Sequence, residues 1–208
     1  LQLRETILAY AGGSIYRFSD EGAWFSLQAG LETGLTPSWA TLRGWTLFAS
    51  DSSSQLRPIY WDGSSSGFSD VPGSPATYLI CTHANRVWAA DQNDPGMLWF
   101  SAPFDPLHWD AAHGGGFLQV GVGDGNRISS MVPGFAGELM VFKDGHAGGS
   151  FYRVSGLSSL DFSVSPPLSS TLGCTSVRGA SLLGDRDIVF ASRRGLHSSK
   201  RTFEFGDF

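Results

Sequence analysis

The chain has 208 residues, a formal net charge of -5 and a sequence pI near 5.4, enough polypeptide for one sizeable core or two small ones. Hydrophobic residues make up 41 %, aromatic residues 13 % and charged residues 16 %, which excludes a disordered polymer and gives no sign of a nucleic-acid binder led by phosphate contacts. The 27 glycines and 10 prolines favour short strands and turns over long helices, and no run of about 18 apolar residues is present to span a membrane.

In chain order, residues 6–11 read as a strand, Gly12-Gly13 as a tight turn suited to positive φ, 14–18 as its partner and 24–27 as a third strand, followed by a loop at 30–37. A second unit runs through 38–42, the turn Arg43-Gly44, 45–49, a serine-rich turn at 51–55 and a return at 57–61 closed by Asp62-Gly63. The serine-glycine run that follows is too short to link domains. A third unit opens at 76–82, turns at 83–85 and enters a tryptophan-rich stretch. There 86–90 and 97–102 read as strands flanking a polar turn at 91–96, until Pro103 and Pro106, which have no N–H to give a ladder, stop the pairing. Gly114-Gly115-Gly116 reads as a mobile loop. A fourth unit has strands at 127–132, 138–142 and 151–154, a turn at 133–137, and an outer strand at 160–164 ended by Pro166-Pro167. The fifth has 175–183, 187–192 and a last strand-like run near 202–205.

The second strands of four units align on one aromatic: Phe48, Trp88, Phe142 and Phe190. A strand-three aromatic recurs at Tyr16, Tyr60, Phe100 and Tyr152. A period of roughly 40–50 residues in groups of four strands is that of β-propeller blades. A four-stranded sheet has two apolar faces, and radial stacking buries both. The expectation is a single all-β domain over 1–208, β-propeller-like with about four to five four-stranded blades and Trp88 in its core; a β-sandwich is the alternative. The chain begins without methionine and ends on a strand-like pattern, so a fragment of a longer protein is expected. Residues 1–10, carrying Arg4 and Glu5 and no long apolar core, do not read as a signal peptide. Cys81 and Cys174 make no disulfide framework and are expected as buried free thiols.

Asp20, Glu21, Asp105 and Asp110 are the carboxylates that a glycosidase reading would use. Their contexts are those of turns. Asp105 precedes Pro106, which biases it to extended backbone, where its carboxylate can accept the N–H two residues on. The run 19–24 faintly resembles the Asp-box of sialidase-like propellers, but its spacing is off by one and it does not recur. His108, His113 and Asp110 lack the spacing of a helical two-histidine motif, and no metal is expected there. The glycines at 121–125 resemble a phosphate loop without its following helix and read as a hairpin. There is no Walker sequence, HExxH or Gly-x-Ser-x-Gly, and no cofactor is expected. Arg193, Arg194, Lys200 and Arg201 form a basic cluster that reads as a solvated hairpin or a contact to an acidic neighbour. Trp88, Trp99 and Trp109 read as core or interface residues, with a sugar-stacking platform as the other possibility.

The segments Arg86-Val87-Trp88-Ala89, Leu98-Trp99-Phe100-Ser101 and Phe104-Asp105-Pro106-Leu107-His108-Trp109, with the run 189–197, resemble the propeller-bearing nozzle, hub and packaged-DNA stabilisation proteins of tailed bacteriophages. Such proteins place an Arg-Val-Trp strand before a Leu-Tyr-Phe-Ser strand and an Asp-Pro-x-x-Trp turn; Trp99 stands here for the commoner tyrosine. The resemblance covers roughly half the chain. It implies a virion structural protein, not an enzyme, acting by assembly around the DNA channel. It also implies a homo-oligomeric ring, hexameric in many short-tailed phages, with other tail proteins as partners. DNA would pass without sequence-specific binding. The location implied is the virion tail, after synthesis in the host cytoplasm. The residues it points to as structural or interface groups are Trp88, Trp99, Phe104, Asp105, Trp109, Arg193 and Arg194. Two other functions stay open: a carbohydrate-binding, receptor-binding propeller using Trp24, Trp61 and Trp109 as exposed aromatics, and a propeller-fold glycosidase using Asp105.

Overall fold

Short apolar runs with a period of two, cut by turns whose residues accept positive φ, pair into antiparallel meanders. The computed structural model describes residues 6–145, 148–184 and 187–205. Among these, eighteen strands form five antiparallel sheets. Sheet one holds β1 (Leu8–Ala11), β2 (Ser14–Phe18) and β3 (Trp24–Gln28). Sheet two holds β4 (Pro37–Leu42), β5 (Trp45–Ser50), β6 (Ile59–Trp61) and β7 (Ser69–Asp70). Sheet three holds β8 (Thr77–His83), β9 (Arg86–Asp91), β10 (Met97–Phe100) and β11 (Gly116–Gln119). Sheet four holds β12 (Arg127–Phe135), β13 (Glu138–Asp144), β14 (Ser150–Ser155) and β15 (Ser163–Val164). Sheet five holds β16 (Ala180–Leu183), β17 (Asp187–Ser192) and β18 (Gly195–Ser198), and a short helix α1 (Ser199–Phe205) follows.

The first strands of successive sheets lie side by side, β4 against β8, β8 against β12 and β12 against β16. Each pair of neighbouring sheets encloses an apolar layer. Tyr10 and Ile15 meet Phe48 and Trp39 between sheets one and two. Leu47 and Ala49 meet Ile80, Val87 and Trp109 between sheets two and three. Trp88 and Phe100 meet Leu139, Val141, Tyr152 and Val154 between sheets three and four. Phe142 and Phe151 meet Ile188 and Phe190 between sheets four and five. This stack of small meanders, each covered by its neighbours, is a β-propeller-like all-β fold and not a two-layered sandwich. No helix of the described residues is long and apolar enough to cross a membrane.

Phe48, Trp88, Phe142 and Phe190 all lie on second strands and are buried. They repeat by strand but not by face: Phe48 points to the preceding sheet and Trp88 to the following one, while Phe142 and Phe190 meet at 4.9 Å. Hairpin chemistry explains the β8–β9 turn, where Ala84 and Asn85 both take left-handed backbone (φ 48° and 56°), the geometry that matches strand twist in a two-residue loop.

Several expectations need correcting. Pro133 lies within β12, which runs on to Phe135; the ladder shifts register there, and the turn falls at Ala136-Gly137. The outer strand expected at 160–164 is only Ser163–Val164. The first strand of the fifth unit starts at Ala180 rather than at 175. The run at 202–205 belongs to α1, not to a strand. Its start is fixed by Asp187, which accepts the hydroxyls of Ser198 and Ser199 and the N–H of Lys200. β7, β11 and β18 have no counterpart in the sequence reading. Cys81 and Cys174 are free; Cys174 is buried, while Cys81 is half-buried.

Candidate functional site

The connection from β10 to β11 gathers most of the residues singled out by the sequence. Pro103 and Pro106 end the strand, and Phe104 between them takes positive φ (61°), a conformation unusual for a bulky side chain. The Asp105 carboxylate closes the turn. Its Oδ1 accepts the Leu107 N–H at 2.9 Å, and its Oδ2 lies 2.7 Å from His108 Nδ1. The Ala102 N–H donates to the His108 carbonyl at 2.7 Å, which folds the segment back on itself. Trp109 then enters the layer between sheets two and three, only 3 % exposed, with its indole N–H on the Pro106 carbonyl at 3.0 Å. Asp110 begins a single 3₁₀ turn at Ala111–His113 and accepts both the His113 N–H and, at 2.8 Å, His113 Nδ1. The imidazoles of His108 and His113 lie with their centres 4.2 Å apart, tilted by 31°.

The inner side of this turn is pinned by a residue whose role the sequence did not disclose. Arg86, buried on β9, donates from Nη1 to the carbonyls of Ser101 and Gly114, both at 2.6 Å. Its guanidinium lies 5.4 Å from the rings of Phe100 and Phe162. Burial pushes its pKa down from the ordinary arginine value. Gly115 is required by contact: a Cβ there would sit 2.5 Å from the Trp109 carbonyl carbon. What projects outward is Phe104, 45 % exposed, with the Arg43 guanidinium 4.4 Å above its ring.

The electrostatics of the turn follow from these bonds. At Asp105 partial burial raises the pKa, but the Leu107 N–H, the His108 hydrogen bond and the nearby imidazoles outweigh it, and the net shift is down. At Asp110 the His113 side-chain hydrogen bond dominates and also lowers the pKa. Both groups are thus stabilised as anions and acceptors, whereas a glycosidase acid needs a raised pKa.

The other expected residues lie elsewhere. Trp88 is buried, its indole N–H on the His83 carbonyl at 3.0 Å and its ring edge-on to Phe162 at 4.9 Å. Trp99 faces the opposite side of sheet three, donates to Asp91 at 2.8 Å and contacts the exposed Phe117 at 5.1 Å. Arg193 and Arg194 occupy the β17–β18 turn, and Arg193 pairs with Asp144 of sheet four at 3.1 Å. Of the three tryptophans read as exposed, Trp24 is 50 % exposed, but Trp61 and Trp109 are each 3 % exposed and belong to the interior. Among the described residues no group of three or more His, Cys, Asp or Glu side chains could hold a metal ion.

Two further features escaped the sequence reading. Lys143 is buried on β13 and donates to the Val120 carbonyl at 2.7 Å and to Asp124 at 2.6 Å, while Asp124 also accepts the Tyr152 hydroxyl at 3.1 Å. This ion pair fixes the glycine-rich connection between sheets three and four. Its signal was a lone lysine ending the apolar run Leu139-Met140-Val141-Phe142. The second is a depression of about 300 Å³ on sheet one, lined by Arg17, Phe18, Asp20, Glu21 and Phe25 among others.

No protein-family model matches the chain, and no curated protein matches it in sequence. Solved structures do match in fold. A nidogen/laminin complex aligns at 13 % identity and TM-score 0.53, covering 89 % of this chain and 66 % of that one. YCF48 bound to D1 peptide aligns at 12 % identity and TM-score 0.56, covering 88 % and 56 %. BamB from Moraxella catarrhalis aligns at 12 % identity and TM-score 0.55, covering 95 % and 55 %. These are β-propeller proteins. At such identities they establish the fold alone, and the chain spans between about half and two thirds of their length.

Proposed function

We propose that this chain works by assembly, as a structural component of a bacteriophage tail of the nozzle, hub or head–tail channel kind, in a homo-oligomeric ring with other tail proteins around passing DNA. The observation that carries the reading is the economy of the 101–116 turn. Each of its carboxylates is engaged by a backbone N–H and an imidazole, its inner carbonyls are held by Arg86, and Trp109 anchors it in the core. The result is a stiff turn offering an aromatic, Phe104, to a neighbour, which suits a fixed contact better than acid–base chemistry. The Arg-Val-Trp strand and Asp-Pro-x-x-Trp turn supply the likeness to tail proteins. The structural neighbours include a nidogen/laminin complex and YCF48 bound to D1 peptide, so binding a protein or peptide partner is a use to which this fold is put. Mass spectrometry of gradient-purified phage particles tests the reading: the chain should co-purify at a fixed stoichiometry to the major tail proteins, and its loss on washing would count against it.

A second reading, a carbohydrate-binding module, draws on Phe18, Trp24 and Phe25, exposed at or near the depression on sheet one. Selective binding on a glycan array, lost in Trp24→Ala, would favour it.

A further inference from the structure

Sheets three and four, in the middle of the chain, each send a stiff loop from the same rim of the stack. β8 and β12 lie side by side, and the Arg127 guanidinium that opens β12 sits 3.7 Å from the ring of Tyr78 near the start of β8, so the two strands run the same way. β10 and β14 run with them, since each is separated from its first strand by one antiparallel partner. β10 leaves the rim into the 101–116 turn and β14 into residues 156–162. Phe162, at the foot of the second loop, packs edge-on to Phe100 at 5.0 Å and lies 5.4 Å from the Arg86 guanidinium, which clamps the first loop. Both loops are thus rooted in one aromatic cluster.

Residues 156–162 close on a single carboxylate. Asp161 accepts the Ser158 N–H at 2.6 Å, the Ser158 hydroxyl at 2.9 Å and the Leu157 N–H at 3.2 Å. The Phe162 N–H donates to the Ser158 carbonyl at 3.1 Å. These bonds hold Leu157 and Leu160 out in water, 83 % and 97 % exposed. A loop closed in this way has little freedom left to lose on binding. Beside Phe104 it makes a preformed apolar contact on two neighbouring loops, which a singly scattered surface leucine does not.

The charge around these side chains has one sign. Asp105 and Asp110 lie on the first loop and Asp161 on the second. Asp62 follows β6 on the same rim, where Gly63 approaches the Gly44 carbonyl and Arg43 covers Phe104. Backbone N–H groups of Ser65 and Ser64 hold Asp62 down to about 2, and local hydrogen bonds also lower Asp105, Asp110 and Asp161. Among the described residues none of the four is paired with a lysine or arginine. Asp62 takes all of its bonds on Oδ1, which leaves Oδ2 to a partner. Arg43 and the buried Arg86 offset two of these charges, and Arg153 is taken by Glu138 at 3.2 Å, so the rim of sheets two to four stays negative around its apolar prongs.

We propose that this rim docks a basic segment of a neighbouring protein, one carrying lysine or arginine beside apolar side chains, with Phe104, Leu157 and Leu160 taking its apolar groups and the carboxylates its cations. Charge complementarity selects the occupant: like charges across the contact would repel an acidic segment or an anionic lipid surface. The inference rests on the assembly reading and gives it a surface and a partner chemistry.

The test uses the full chain and two synthetic amphipathic peptides of one apolar pattern, one of leucine and lysine and one of leucine and glutamate, titrated calorimetrically at about 0.15 M salt. The wild-type chain should bind the lysine peptide at least about tenfold more tightly than the glutamate peptide. Leu157→Ser combined with Leu160→Ser should weaken that binding by about tenfold or more. Phe104→Asn, which suits left-handed backbone better than phenylalanine, should weaken it as well. Val122→Ser, at an 84 % exposed position on the opposite rim, should bind like wild type. Unchanged far-ultraviolet circular dichroism checks that each variant is folded. Absence of binding to the lysine peptide, equal binding of the two peptides, or wild-type binding by a folded leucine or Phe104 variant overturns the inference. So does binding to neutral phosphatidylcholine vesicles that the leucine variant abolishes, because lipid would then be the occupant. Co-purification with phage particles reads the assembly proposal separately, so either can fail without the other.

Discussion

Arg86→Met removes the clamp of the 101–116 turn while nearly keeping its volume. Two charge-assisted hydrogen bonds at 2.6 Å are lost, each worth about 1.5–3 kcal/mol, and the buried Ser101 carbonyl and the half-buried Gly114 carbonyl lose a donor. Against this, a buried guanidinium no longer has to be desolvated, a saving of a few kcal/mol; its Nε already has no partner. The net expectation is a loss of about 2–4 kcal/mol. With a urea slope of about 2–3 kcal/mol/M, the midpoint should fall by roughly 1 M or more, followed through tryptophan fluorescence. Trp109 is held by this turn, so limited proteolysis should also cut near 103–108 in the variant before it cuts elsewhere. Arg86→Lys keeps the charge on a compact head without the planar fork and should fall between the two. An unchanged midpoint and cleavage pattern for Arg86→Met would show that the turn does not depend on Arg86 and refute the reasoning.

Trp88→Ala should lower stability by about 3–5 kcal/mol through cavity formation, read as a denaturant midpoint; a midpoint at the wild-type value would place Trp88 outside the core. Asp105→Ala should cost about 1 kcal/mol by losing the acceptor for Leu107 N–H, whereas Asp105→Asn keeps that acceptor and should stay close to wild type; equal harm from both would mean that the negative charge itself matters. Glu32 is held down to about 2 from 4.5 by the hydroxyls of Ser54 and Ser53 and the Ser53 and Ser54 N–H groups. A depressed carboxylate stabilises the fold above its unfolded pKa and ceases to do so as pH falls through its folded one, so the melting temperature should drop between about pH 4.5 and 2, and Glu32→Gln should flatten that drop.

The strand plan was legible because it rests on local signals: one aromatic on each second strand, and hairpin turns such as Arg43-Gly44 between β4 and β5. What stayed hidden depends on residues distant in sequence. Gly114-Gly115-Gly116 read as a mobile loop, yet Gly115 is pressed on the Trp109 backbone and Gly116 on the Phe100 ring; glycine for close approach and glycine for freedom look alike in a sequence. Arg86 read only as the first residue of the strand 86–90, because the two carbonyls that it holds, those of Ser101 and Gly114, lie beyond a turn. Trp61 read as exposed beside Asp62-Gly63, but its indole N–H is taken by the Ser65 carbonyl at 2.8 Å. The alternation of Phe203, Glu204 and Phe205 suggested a strand, and the helix instead follows from Asp187 gathering Ser198, Ser199 and Lys200. Within the candidate site, the Asx turn at Asp105 follows from its own dipeptide, while the seat of Trp109 between two sheets is a property of the stack.

The place proposed for this chain is a fixed position in a phage tail. The most direct measurement is electron microscopy of intact purified particles labelled with gold-conjugated antibody raised against the chain. The account predicts label confined to the tail or the head–tail junction, at a constant number per particle. Particles that carry no label, while the chain is recovered free in the infected-cell lysate, would contradict it.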